Sequence, residues 1–244
     1  MRKAILLTIS SVFTLLAAFP PAGAQDQKTE LKAFQAAAGN RSVLFRGKQQ
    51  ARYSFPANGH PYWEQTGFQS GDIVFEGNLY RNVTVNIDAL AQRVLVQLQG
   101  SPVAVALSPA QVSSLSVNGR QFVGIGPGES LPEGIYEVFG EGPERIYKHI
   151  RKNLESSVNN VNGDPIGYYD ENYRASVTRY FAYASSYYFR DAAGQFSPFK
   201  GKGALLRKFP NRKREVIRRE LRAAGIYGSD FDAYCKAVLY FAAL

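Results

Sequence analysis

From residue 71 to residue 125 the sequence reads as short alternating runs separated by turn pairs, and no helical period survives there. In "GDIVFEGNLYRNVTVNIDA" two strands meet at Gly77-Asn78, residues that accept the positive φ of a tight hairpin. Val83, Val85 and Ile87 then alternate with Thr84, Asn86 and Asp88, the period-two pattern of a half-buried strand. "RVLVQLQG" continues with Val94, Val96 and Leu98, "SPVAVAL" follows, and "LSVNGRQFVGI" carries a second hairpin signal at Asn118-Gly119. "GIYEVFGEGPERIYKHI" repeats the scheme with its reversal at Gly140 to Pro143. Chains of this grammar pair neighbouring strands antiparallel, because two-residue connections leave no length for a crossover.

Flanking segments extend the pattern. "SVLFRG" and "ARYSF" are short strand candidates, and residues 153–175 are polar with Gly-Asp-Pro, which predicts a long loop or insertion. Strands are expected again over 176–184, 187–190 and 195–199, with a turn at Ala192 to Gly194. Three helical pieces close the chain. The first is short, Gly203 to Phe209; the second starts at Pro210 or Asn211 and ends at Gly225. The third is capped by Ser229, with Phe231, Tyr234, Cys235, Val238 and Phe241 on one stripe. Strands first and helices last predict an α+β fold: an antiparallel β-rich body (a meander, small sandwich or partly open barrel) with a helical C-terminal module. The expected divisions are 1–24, a leader or short helix over 25–41, a β body over 42–152, the polar loop, and 176–244.

The first of these is an address. Arg2 and Lys3 precede an apolar run from Ala4 to Phe19, and Ala22-Gly23-Ala24 is a small-x-small cleavage pattern. Cleavage before Gln25 leaves 220 of the 244 residues, with no later run long and apolar enough for a transmembrane helix. The expectation is an exported protein, periplasmic, peripheral to an outer membrane, or extracellular. Cys235 is the only cysteine, so packing rather than a disulfide must hold an exported chain; sixteen Phe and fifteen Tyr suit that task.

"GHPYWEQTGFQSGDIVFEGNLYRNVTVNIDALAQRVLV", followed by "LLRKFPNRKREVIRREL" and a terminal "AVLYFAAL", resembles a family of exported, functionally uncharacterised β-rich proteins common in Bacteroidota. The shared pattern is a Gly-His-Pro-aromatic start, a Gly-x-x-Tyr-x-Asn-Val hairpin, a Leu-Leu-x-x-Phe-Pro step and a basic helix. The resemblance implies a bacterial envelope location and brings no catalytic residues with it.

Motifs for chemistry are scarce. His60 and His149 stand 89 positions apart, Cys235 falls on an apolar helix stripe, and neither a Cys pair nor a His-x-x-x-His spacing offers a metal site. No Gly-x-Ser-x-Gly occurs, and "GIGPGES" lacks the lysine and following helix of a phosphate loop. No cofactor is implied. Asp164, Asp170 and Glu171 are the acids nearest to a carboxylate pair, and Tyr180, Tyr183, Tyr187 and Tyr188 are candidates for a stacking surface.

Charge is the one concentrated signal. Residues 200–222 hold ten Lys/Arg against two Glu, a net of +8, whereas the chain without Arg2 and Lys3 carries +7 in all. On a helix, Ile217, Leu221 and Ala224 make a narrow apolar stripe opposite Arg212, Arg214, Arg218, Arg219 and Arg222, and Arg207 and Lys208 lie just upstream. Cations in a helix's first turn oppose its dipole, so the pattern points to an anionic partner or to neutralisation by the protein's own acids. An anionic envelope component or acidic protein surface is the expected partner, and no base-reading element for sequence-specific nucleic-acid binding accompanies the cations. The leading reading is a non-catalytic envelope or interaction protein. The alternatives are a hydrolase of envelope or carbohydrate polymers and, behind it, an outer-membrane barrel.

Overall fold

Two-residue turns dictate the topology. Asn118 (φ 51°) and Gly119 (φ 71°) both sit in the left-handed region, joining β6 (Val112–Val117) to β7 (Arg120–Ile125) as their sequence requires. The earlier hairpin turns one residue sooner than expected. Glu76 (φ 48°) and Gly77 form the loop between β2 (Gln69–Phe75) and β3 (Asn78–Asp88), and the Asn78 side chain donates to the Glu76 carbonyl.

The computed structural model describes residues 39–50, 53, 55–159, 176–228 and 230–244. The chain divides into two units, Met1–Gly39 and Asn40–Leu244, and every element named here lies in the second. The expected export signal, the leader up to residue 38, the loop tip over 160–175 with its acids, and Ser229 lie outside the described residues.

Further strands are β1 (Lys48–Gln49), β4 (Arg93–Gln97), β5 (Ala104–Leu107), β8 (Gly134–Phe139), β9 (Arg145–His149), β12 (Ser186–Arg190) and β13 (Phe196–Phe199). With β2, β3, β6 and β7 they form an eleven-stranded sheet in the order β1-β5-β4-β3-β2-β6-β7-β8-β9-β12-β13, antiparallel throughout. β10 (Lys152–Asn159) and β11 (Ser176–Tyr183) pair only with each other. The sheet is not closed into a barrel, so the barrel alternative gives way to an open, edged sheet ending in β1 and β13.

A bulge between Gly71 and Ile73 bends β2, and the sheet curls until β4 lies beside β8. A side chain bridges that gap. Gln92 Nε2 donates to the Ala89 and Ile150 carbonyls (2.7 and 2.8 Å), and its Oε1 accepts from Ile135 N (3.0 Å). Gly134 makes room for this bridge: a Cβ there would lie 2.2 Å from His149 Nε2 and 2.5 Å from Gln92 Oε1. Inside the curl Leu44, Ile73, Val94, Leu115, Ile135 and Ile150 form a first core.

Helices α1 (Lys202–Leu206), α2 (Asn211–Ala223) and α3 (Phe231–Ala242) cover the far half of the sheet and build a second core with Phe139, Ile146, Phe189 and Phe199. α2 docks through Ile217 and Leu221, and Gly225 (φ 66°) ends it while Ile226 N bonds back to the Leu221 carbonyl. Asp230, not Ser229, caps α3 by accepting from Asp232 N and Ala233 N.

Three other expectations change. Val43–Phe45 is a 3-10 turn capped by Ser42, not a strand, and Tyr53 and Phe55 lie outside strands. Residues 153–159 of the supposed loop belong to β10, because β11 supplies a full backbone ladder to that polar run. Asn86 and Asp88 are buried as well as Val85 and Ile87. The 65–67 segment accounts for this: Asn86 Nδ2 donates to the carbonyls of Gln65, Thr66 and Gly67, so both faces of β3 are covered.

Candidate functional site

Strand register puts one row of side chains across the sheet: Ile73, Leu115, Phe122, Glu137, Lys148, Tyr187 and Phe199. Its middle is charged. On β8, Glu137 stands between Ile135 of the first core and Phe139 of the second; on β9, Lys148 stands between Ile150 and Ile146. A polar belt therefore separates the two cores. Burying ions is costly unless each is paired and hydrogen-bonded, and here each is. Arg120 grips Glu137 with a fork, Nε to Oε1 at 2.8 Å and Nη2 to Oε2 at 2.6 Å. Its remaining Nη1 donates to Glu64. Lys148 pairs with Asp232 of α3, whose other oxygen accepts from the Tyr187 hydroxyl at 2.8 Å. The hydrogen bonds to Glu137 raise the Arg120 pKa further, and burial, followed by the Asp232 bond, raises that of Tyr187.

Trp63 lies over the belt. Arg120 sits 5.9 Å and Lys148 5.0 Å from its ring centre, while the Tyr183 ring meets it edge-on at 5.5 Å. Trp63 is 8% exposed, and its indole N–H has no partner among the described residues. Beside it opens a cleft of about 80 Å³, lined by the apolar Val85, Ile87, Val117 and Phe122 and by the polar Glu64, Gln69, Asn86, Asn118 and Arg120.

The arginines of α2 divide into two groups. Arg214 points inward: Nε and Nη2 donate to the Leu206 and Phe209 carbonyls, each at 3.0 Å, so it caps the preceding turn. Lys208 donates to Ser197 Oγ, and Lys213 pairs with Glu144 at 2.6 Å. Arg219 is exposed and leans on Glu220. Arg207, Arg212, Arg218 and Arg222 are exposed, and their side chains make no ion pair or hydrogen bond among the described residues. Glu215 is the one acid in the shallow surface groove that Arg218, Arg219 and Arg222 line.

The tyrosines do not form one platform. Tyr187 and Tyr188 are sequence neighbours on a strand and face opposite sides; Tyr187 packs against Phe199 and Phe231, whereas Tyr188 meets Tyr136. Tyr180 donates to Glu155 at 2.9 Å. Tyr183 is open, at 59% exposure, above Lys152 Nζ at 4.6 Å. Cys235 is fully buried, and burial pushes its thiol up to about 12, which leaves it inert as a nucleophile. His149 stacks on Tyr136 at 4.5 Å, and Nε2 meets Gln92 Oε1 at 2.9 Å. Among the described residues no cluster of His, Cys, Asp and Glu is suited to hold a metal.

The belt and the cleft were not among the sequence candidates. The signal of the belt was parity: an acid in "IYEVF" and a base in "IYKHI", each between apolar residues of its own strand face. No family model, no curated protein and no solved structure matches the chain.

Proposed function

We propose that this chain is a non-catalytic binding protein of the bacterial envelope, exported by its N-terminal segment, which contacts an anionic partner through the outward face of α2. The observation that carries this reading is the division among the arginines. Charges that serve the fold (Lys208, Lys213, Arg214) are bonded inward, while Arg207, Arg212, Arg218 and Arg222 remain exposed, with Glu215 in the groove that Arg218 and Arg222 line. Because Ile217 and Leu221 are spent on the core, α2 leaves only Val216 as an exposed large apolar side chain, too little to insert, so the contact is electrostatic and peripheral. Glu64 and Glu137, the acids nearest the cleft, both bond to Arg120, so they hold one guanidinium rather than standing apart as a catalytic pair, which favours binding over the hydrolase alternative.

The test is co-sedimentation with vesicles of phosphatidylglycerol. Wild type is expected to bind at low salt and release as salt rises, and Arg212→Gln/Arg218→Gln/Arg222→Gln to bind weakly at all salt concentrations. Equal sedimentation of the triple variant would reject the reading. Because these side chains make no ion pair or hydrogen bond among the described residues, the variant should unfold like wild type.

A further inference from the structure

We infer that the cleft between Trp63, Arg120 and Phe122 is a binding site for a small monocarboxylic acid, and that the Glu64 carboxylate is the group such an acid displaces. This rests on Arg120 and is independent of the α2 reading. A guanidinium has five N–H groups. Arg120 uses two on Glu137 and one on Glu64, so one hydrogen on each Nη nitrogen is uncommitted among the described residues.

The two glutamates hold Arg120 unequally. The Glu137 side chain is 2% exposed and takes the fork; that of Glu64 is 55% exposed and takes one N–H. An exposed single contact is worth little, whereas breaking the buried fork leaves a bare charge in the core. Glu64 is therefore the replaceable partner. Replacing one carboxylate by another also keeps two carboxylates bonded to Arg120 while Lys148 keeps Asp232, and the freed Glu64 side chain turns to solvent.

The lining of the cleft sets the rest of the ligand. Val85, Ile87, Val117 and Phe122 are apolar, Gln69 and Asn118 are bonded to each other, and the Asn86 side chain is committed to the carbonyls of residues 65–67 and to Ile87 N. At about 80 Å³ the space is well below the roughly 150 Å³ that accommodates a benzene ring. A short aliphatic tail fits this chemistry, so a C3 or C4 acid is the class of ligand.

Trp63 is the only tryptophan, which makes its fluorescence a local reporter. The full chain would be titrated with butyrate and with butyramide. Saturable change with butyrate alone is expected, and Glu64→Gln, which cannot compete as an anion, should bind butyrate roughly fivefold more tightly. The Arg212→Gln/Arg218→Gln/Arg222→Gln protein should titrate as wild type does. No saturable change in either wild type or Glu64→Gln would overturn the proposal. So would equal binding of the amide, no tightening in Glu64→Gln, or loss of the response in the α2 variant.

Discussion

His149 offers the sharpest test of how the curl is held. Its ring is 6% exposed, and Nε2 donates to a Gln92 oxygen that also receives Ile135 N. Burial first, and the charge of Arg151 second, bring its pKa down from 6.5 to about 4. The imidazole is thus neutral in the folded protein across the range in which the unfolded chain becomes protonated. Stability from this group is complete above the unfolded value near 6.5 and is lost as pH falls toward 4, the direction expected when the folded pKa is depressed. Over the whole window the loss is about 3 kcal/mol, of which about 2 kcal/mol falls between pH 7 and pH 5, where most carboxylates are still charged. His149→Gln removes the titration. It also removes the stack on Tyr136, but that loss is constant with pH and drops out of the comparison. Urea unfolding followed by Trp63 fluorescence at the two pH values measures the slope directly. His60, whose pKa burial also lowers, leaves a residual slope in the variant. Equal pH dependence in wild type and His149→Gln would refute the argument.

Two further outcomes follow from the belt and the docked helix. Arg120→Met should cost about 3–5 kcal/mol, since it strands Glu137 at 1% exposure, whereas Arg120→Met/Glu137→Leu should recover most of that loss in urea unfolding. Ile217→Ala should cost about 2–5 kcal/mol by emptying the α2 contact, and proteolysis should then cut first within 211–223.

What could be read from the sequence was local. Asn118-Gly119 specifies its own backbone dihedrals, so that hairpin needs no distant partner. The α2 stripe likewise follows from spacing, and Ile217 and Leu221 are its buried members as expected. Elements that depend on distant segments were not legible. β10 is polar, and only the ladder to β11 makes it a strand. Arg214 shares a helix face with Arg218 in projection, yet the carbonyls of Leu206 and Phe209 turn it inward. Residue parity alone already separates Tyr187 from Tyr188, and the same parity marks Glu137 and Lys148 as charges on an apolar face. Their partners, Arg120 and Asp232, are set by the curl of the sheet and by the return of α3, which no local pattern encodes.

The belt also explains how one sheet supports two unlike surfaces. A buried ion pair adds little net stability over an apolar pair, but it penalises wrong registers heavily. A one-residue slip of β9 against β8 would turn Lys148 to the opposite face and leave Glu137 across from an aromatic neighbour. Lys148 also fixes α3 through Asp232, and α3 packs beside α2. The same interaction layer thus fixes the strand pairing that shapes the Arg120 cleft and the helix packing that turns Arg212, Arg218 and Arg222 outward. A charge lost from the belt should therefore disturb both surfaces together, while changes in Glu64 or in the exposed arginines should disturb only one.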